Sequence, residues 1–241
     1  MPGSDKRQLV ASVISAIRQA GLHYGLWFAE TAHQLGLEAA LRAEAEAGDK
    51  GTAVVVKRVC EALGTGLEDG QPEALLGLDE PTLKALLDSL AVSWLALDGV
   101  WFQAVEKLAD MEDAKRVNDT CWSRFAAVEA RQIMALQGLE GNGGLEALKQ
   151  ALGLRLYSRV NVSEMVEQTK TSFVFRMRQC RVQTARKRKG LTDYPCRSGG
   201  LVEYRTFAKA MDPRIRVTCL ACPPDPHPDD WYCAWRFEIE G

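Results

Sequence analysis

Apolar residues recur at intervals of three and four along the first half of the chain, and this spacing predicts helices. The segment 6–46 is rich in Ala, Leu and Glu, and the glycines within 48–51 are expected to end this first helix. Further helices are predicted over about 52–65 and about 112–139. Between them, Pro81 follows two acidic residues, a combination that favours the first turn of a helix.

The periodicity changes after residue 144. The segment SFVFRMR at 172–178 alternates polar and apolar residues, which predicts a half-buried β-strand. The segments 214–222 and 231–240 alternate in a similar way, and a Pro-rich turn joins them as an apparent hairpin. Helical patterns lie between these strands, and such a mixture is typical of an α+β domain.

We therefore predict an α+β protein in which a helical N-terminal half precedes a C-terminal mixed α+β domain with a short antiparallel sheet. The predicted domains are residues 1–144 and 145–241. The charge also changes along the chain. Residues 1–150 contain 14 Lys and Arg against 22 Asp and Glu, whereas residues 151–241 contain 16 against 10. The C-terminal part is therefore the basic one.

Composition and charge narrow the class of protein. The first residues lack the continuous apolar core of a signal peptide and we predict no membrane span, so we expect a soluble, cytoplasmic protein. The basic run at 176–189 is typical of a solvated helical face, and its alternative role is to bind an anionic small-molecule ligand. No aromatic residues are interleaved in it, which disfavours a nucleic-acid partner. A homo-oligomer is compatible with this composition.

Five of the seven cysteines lie between Cys180 and the C-terminus. In a reducing compartment, an odd number of cysteines clustered in one region indicates metal ligands more than disulfides. We predict one site of four thiolates, those of Cys196, Cys219, Cys222 and Cys233. Zn²⁺ is the first candidate and a [4Fe-4S] cluster the second, because both accept four thiolates. A redox dithiol at the Cys-x-x-Cys pair and inert buried cysteines are the alternatives.

Two further residues have candidate chemical roles. Cys180 lies beside basic residues, which favour the reactive thiolate, so it is a candidate nucleophile or a further ligand, with a core cysteine as the alternative. Of the three histidines, His227 is the one near the cluster. It is a candidate general base for Cys180 and a substitute metal ligand.

Short C-terminal motifs resemble those of known families. The first resemblance is to an uncharacterised family of prokaryotic cytosolic proteins, which is similar to the aminothiazoline-carboxylate hydrolase-like proteins. The closing strand also resembles the end of the 4-vinyl reductase domain, a small-molecule-sensing module in which cysteines near the C-terminus hold zinc. The motifs are Cys180, Tyr194-Pro195-Cys196, Asp212-Pro213-Arg214-Ile215, Cys219-x-x-Cys222-Pro-Pro-Asp-x-His227-Pro and Cys233-x-Trp235-x-Phe237.

The resemblance implies a ligand-binding α+β domain at the C-terminus, in which Cys180, Cys196 and Cys233 match the wider pattern. Cys219 and Cys222 are additions to the hydrolase-like pattern, and extra thiolates favour a closed structural site over an open catalytic one.

Three functions are compatible with these residues. The first is a metal-containing protein that binds or senses a small molecule in a pocket lined by aromatics such as Trp27, Trp101 and Trp235. The second is a hydrolase of a small C–N or C–S substrate that uses Cys180 or a metal-bound water. The third is an iron–sulfur protein of anaerobic metabolism.

Overall fold

The computed structural model describes residues 5–139, 141–190 and 192–239. The chain forms two compact units, which divide between Val59 and Cys60. The division predicted at residue 144 follows a change of sequence pattern rather than of packing, and it stays a prediction.

The first unit contains two long helices, α1 (Lys6–Leu35) and most of α2 (Leu37–Leu63). Gly36 separates them with a φ of 86°, a left-handed conformation that ends a helix at little cost for glycine. The expected end at 48–51 is wrong, since α2 continues through this segment. A glycine inside a helix costs only about 1 kcal/mol, which the flanking helix formers offset.

The second unit contains the remaining helices and all the strands. In chain order they are β1 (Leu67–Glu68), β2 (Gln71–Pro72), α3 (Glu73–Leu76), α4 (Glu80–Leu108), α5 (Met111–Gln137), α6 (Gly144–Leu154), α7 (Leu156–Val160), β3 (Val162–Val166), β4 (Ser172–Gln179), α8 (Arg181–Arg188), α9 (Arg197–Met211), β5 (Ile215–Ala221) and β6 (Cys233–Ile239).

Strands β3 to β6 form one antiparallel sheet in the order β3-β4-β6-β5. The β4–β6 register places Phe173 opposite Phe237 and Phe175 opposite Trp235, so large apolar residues share one face. The two phenylalanine rings stack with centroids 5.0 Å apart. The α+β class, the helical N-terminal half and the antiparallel C-terminal sheet are confirmed.

Helices α5, α6 and α9 supply the apolar residues that pack with this face of the sheet into one core. Helix α9 contacts both α5 and β5, and its Phe207 is completely buried. Asp212 ends α9 and accepts hydrogen bonds from the Gly144 N–H, 3.1 Å away, and from Arg214. The start of α6 is thus fixed to the end of α9.

Helix α4 begins as the sequence predicts. Asp79 is its N-cap and accepts a hydrogen bond from the Thr82 N–H at 2.8 Å. One side of α4 packs against α5 and α7. In the described part of the chain, α4 is the one helix long and apolar enough to cross a membrane by length and composition. The prediction that the chain has no membrane span stays a prediction.

Candidate functional site

Four cysteines of the second unit line one cavity of about 40 Å³. We call it the cysteine cavity. Each of the four lies where an element begins or ends, and together they are Cys180 after β4, Cys196 before α9, Cys222 after β5 and Cys233 at the start of β6.

The sheet register explains how these residues meet. On β6, Cys233 lies opposite Met177 of β4, and its neighbour Ala234 lies opposite Ala221 of β5. Cys222, one residue further along, therefore comes beside Cys233 at the end of the hairpin. The two thiols share a hydrogen bond.

Burial and mutual repulsion govern the ionisation of these thiols. Burial raises the pKa of Cys180 to about 11. Burial also raises the pKa of Cys196, and the neighbouring Cys180 and Cys233 raise it further. The shared hydrogen bond raises the pKa of Cys222 and lowers that of Cys233. Without a cation, the cavity therefore holds mostly protonated thiols at neutral pH.

Polar side chains complete the wall of the cysteine cavity. The Gln183 amide donates to the Cys196 sulfur at 3.2 Å and to the Tyr194 carbonyl oxygen at 2.9 Å. Trp235 is fully buried, and its indole N–H hydrogen-bonds toward the Cys233 sulfur, which helps to lower the pKa of that thiol.

Glu203 brings an acidic group to the wall of the cavity. Arg155, which is almost fully buried, contacts Glu203 Oε1 through Nη1 at 2.7 Å and donates through Nε to Glu129 Oε2 at 2.8 Å. Burial raises the pKa of Glu203, and Arg155 opposes this shift. Two carboxylates share one guanidinium here, so the surroundings of the cavity suit a cation.

Tyr157 and Tyr204 are the aromatic residues of the wall that reach beyond the cavity. The Tyr204 ring packs on Trp235 with centroids 4.9 Å apart. The Tyr157 ring contacts Trp94 of α4 and Trp122 of α5 edge to face, with both centroid distances at 6.0 Å. Tyr157 thus connects the cysteine cavity with the region between these two helices.

The cavity brings together three of the four predicted metal ligands, Cys196, Cys222 and Cys233, and adds Cys180. Cys219 is half-buried within β5 and is not among the lining residues. Cys219 lies opposite Trp235 of β6, and the β5–β6 register shifts between Cys219 and Ala221, so this irregularity separates Cys219 from the end of the hairpin where Cys222 lies beside Cys233.

His227 also lies outside the residues that line the cavity. Its Nε2 is 3.0 Å from Asp193 Oδ2, and its Nδ1 is 2.8 Å from the Pro228 carbonyl oxygen. Within residues 5–139, 141–190 and 192–239, no three His, Cys, Asp or Glu side chains are arranged so that they would already hold a metal ion. The predicted ligand set and metal stay predictions.

Sequence reasoning missed Glu203 as a site residue. A signal was available, because Cys196, Gly200 and Glu203 are spaced by four and three residues and so share one face at the start of α9. Gly200 is needed on this face, since a Cβ there would lie 2.5 Å from the Trp235 ring. Arg155 gave no such signal, as its partners are 26 and 48 positions away in sequence.

A second, larger cavity of about 360 Å³ lies between α4 and α5. We call it the aromatic pocket. The tryptophans that the sequence placed in one pocket are distributed differently: Trp101 lines the aromatic pocket, Trp235 lines the cysteine cavity and Trp27 lies on α1. The aromatic pocket is instead completed by Trp94 and Trp122.

A family model described as a family of unknown function, DUF6125, matches residues 76–239. The matched part contains both cavities and omits α1 and α2. No curated protein and no solved structure matches the chain. The family match does not bear on the resemblance to hydrolase-like proteins or to the 4-vinyl reductase domain.

Proposed function

We propose a metal-binding function for this chain, which belongs to the family of unknown function DUF6125. The proposed site is the cysteine cavity, and the proposed ligands are Cys180, Cys196, Cys222 and Cys233. The observation that carries the proposal is the convergence of four thiols from four different element ends on one small buried space. Four thiolates are a common ligand set for a structural zinc ion.

The electrostatics of the cavity support a cation. Cys180 and Cys233 raise the pKa of Cys196, Cys233 raises that of Cys222, and Glu203 adds a buried carboxyl group. A divalent ion offsets this accumulation of negative charge, and its binding releases thiol protons. Burial makes the ionised thiolates unfavourable in the empty site, and a bound metal ion offsets this cost.

The size of the cavity favours one ion over a cluster. A space needs roughly 10–15 Å³ to hold one water molecule, so about 40 Å³ accommodates a single ion or a few waters. A [4Fe-4S] cluster with eight core atoms requires more room. We therefore propose Zn²⁺, with the iron–sulfur cluster as the alternative that a visible spectrum distinguishes.

The structure offers less support for a hydrolase. Burial raises the pKa of Cys180 to about 11, whereas a nucleophilic cysteine requires a lowered pKa. His227, the candidate general base, hydrogen-bonds to Asp193 and is not among the residues of the cavity wall. A metal with four thiolate ligands also lacks the open position that activates water. We therefore propose a binding protein rather than an enzyme.

Metal analysis of the full chain purified without oxygen tests the proposal. We expect about one equivalent of zinc per chain, as in tetrahedral thiolate sites, and no absorbance from an iron–sulfur cluster. Cys180→Ser and Cys196→Ser should lose most of the metal. Cys219→Ser is the matched control, since this residue lies in the same cysteine cluster and is not among the lining residues.

Three results would overturn the proposal. Loss of zinc in Cys219→Ser but not in Cys180→Ser would favour the ligand set predicted from spacing. Iron and sulfide in the purified protein would favour the cluster. A metal-free protein with a Cys222–Cys233 disulfide, detected by mass spectrometry, would identify the hydrogen-bonded pair as a redox dithiol.

A further inference from the structure

The aromatic pocket is large enough for a small organic molecule. Its volume of about 360 Å³ falls within the range of roughly 300–1,000 Å³ that is usual for ligand cavities. Its wall contains three tryptophans and two phenylalanines, all from α4 and α5. This pocket is separate from the cysteine cavity, and an inference from it does not depend on metal binding.

Five aromatic rings line the pocket. Trp94 and Trp122 pack edge to face with centroids 5.6 Å apart, and Phe125 lies 5.7 Å from Trp94 and 5.8 Å from Trp122. Trp101, which also lines the pocket, is 66% exposed, so the surface of its ring is open to a ligand. The faces of tryptophan rings attract cations, by about 0.5–2 kcal/mol each.

The acidic group of the pocket is Asp98, on α4. Its Oδ1 accepts a hydrogen bond from the Asn118 side chain at 3.0 Å, and Trp122 also acts on the carboxylate. Burial raises the pKa of Asp98 despite these contacts. In the described structure Asp98 forms no ion pair. The nearby Lys115 pairs instead with Asp119, at 2.8 Å.

We infer that the aromatic pocket binds an organic ammonium ion with an apolar body, whose charge lies between the tryptophan rings and the Asp98 carboxylate. An unpaired carboxylate and tryptophan faces both attract a cation, and an apolar wall accommodates an aryl or alkyl group. A neutral molecule leaves the carboxylate without a counter-charge, and an anion is repelled by it. The cationic ligand proposed for the aromatic pocket thus has the opposite charge to the anionic ligand that the basic run at 176–189 suggests.

Isosteric probes separate charge from shape. Benzyltrimethylammonium and neopentylbenzene have nearly the same shape, but only the first is charged, and 3-phenylpropionate supplies an anion. We propose to titrate each into the purified full-length protein while recording tryptophan fluorescence and, in parallel, heat. The cation should bind at least about tenfold more tightly than its neutral isostere, which corresponds to about 1.4 kcal/mol.

Two variants assign the preference to Asp98. In Asp98→Asn the tenfold preference should fall to about threefold or less, because the amide keeps the oxygen that Asn118 contacts but removes the charge. The control is Asp88→Asn, which alters a carboxylate on the same helix that pairs with Arg159 at 2.7 Å and does not line the pocket. This control should keep the full preference.

The inference is overturned by an equal affinity for the cation and the isostere, by tightest binding of the anion, or by no binding of any probe at millimolar concentration. It is also overturned if Asp98→Asn folds and keeps the tenfold preference. If that variant does not fold, the comparison of the three probes on the unaltered protein still decides the question. Trp101→Leu should weaken the cation more than the isostere, since an aliphatic side chain retains apolar contact but has no π-face.

Discussion

The cysteine cavity and the aromatic pocket lie in the same compact unit, yet they differ in size, in lining residues and in how their charged groups are paired. The cysteine cavity is small and lined by four thiols, and a buried arginine and two glutamates support it. The aromatic pocket is about nine times larger and almost wholly apolar, with one carboxylate that has no ion pair in the described structure. The first arrangement suits an inorganic ion and the second an organic one.

This difference shows how the fold distributes charge. Around the cysteine cavity, buried charges are paired with each other, so removing one of them exposes its partners to an apolar interior. In the aromatic pocket, burial makes the ionisation of Asp98 costly, and the proposed cation would offset this cost. The charged groups beside the cysteine cavity are thus paired within the protein, whereas the carboxylate of the aromatic pocket has no counter-charge in the described structure.

The largest expected effect concerns Arg155. Arg155→Met leaves Glu129 and Glu203 buried without a counter-charge, and we expect a loss of about 3–5 kcal/mol in the free energy of unfolding. Arg159→Met is the control, since the Arg159–Asp88 pair is largely exposed and should contribute about 1 kcal/mol or less. Urea unfolding followed by circular dichroism measures both. Equal losses in the two variants would contradict a charge-supported cavity.

Alanine substitutions at two helical glycines should change the free energy of unfolding by intermediate amounts and in opposite directions. A Cβ at Gly200 would lie 2.5 Å from the Trp235 ring, which is fully buried and cannot move aside. Gly200→Ala should therefore destabilise the protein by about 1–3 kcal/mol and distort the cysteine cavity. A Cβ at Gly99, on α4, meets no atom within 4 Å, so Gly99→Ala should stabilise by about 0.5–1 kcal/mol.

Thermal unfolding of these two alanine variants tests the contrast, and zinc content reports on the cavity. If Gly200→Ala is as stable as the unaltered protein and binds as much zinc, the close approach of α9 to Trp235 is not required for the proposed site.

The last comparison concerns two aspartates whose ionisation affects stability in opposite directions. Hydrogen bonds from Arg214 lower the pKa of Asp212, whereas burial raises the pKa of Asp98. Ionised Asp212 therefore stabilises the fold above its ordinary pKa, and this is lost as the pH falls through the lowered value. For Asp98 ionisation is a cost, which appears as the pH rises through the raised value.

Asp212→Asn should accordingly lose about 1–3 kcal/mol at neutral pH, as is usual for charge-assisted hydrogen bonds. Asp98→Asn should be neutral or more stable than the unaltered protein, with a difference that grows as the pH rises from the ordinary aspartate pKa of about 4 toward the raised value. Unfolding titrations across this range measure both. A clear loss of stability in Asp98→Asn would show that the carboxylate is already satisfied without a ligand.

Most of the fold could be predicted from local pattern. Alternation identified β4, β5 and β6, and the acidic residues before Pro81 identified the start of α4, because these signals act within a few residues. The first helix boundary could not be predicted in the same way. Glycines occur at both 36 and 48–51, and only the backbone angle at Gly36 shows which one breaks the helix.

The candidate site was less accessible to sequence reasoning. A Cys-x-x-Cys pair converges on one ion when the chain turns between its members, but Cys219 lies in an extended strand. Cys180 enters the cavity because β4 pairs with β6, a contact between segments more than fifty residues apart. Spacing along the chain carries no information about either point. The Arg155 contacts are likewise tertiary.

Tyr157 has a consequence for regulation. Its ring belongs to the wall of the cysteine cavity and also contacts Trp94 and Trp122, which line the aromatic pocket. A ligand that displaces those indoles shifts a wall of the proposed metal site, so occupancy of one site should alter affinity at the other. Thermodynamic linkage makes this coupling reciprocal: an ammonium ion that weakens the affinity for zinc is itself bound more weakly by the zinc-loaded protein.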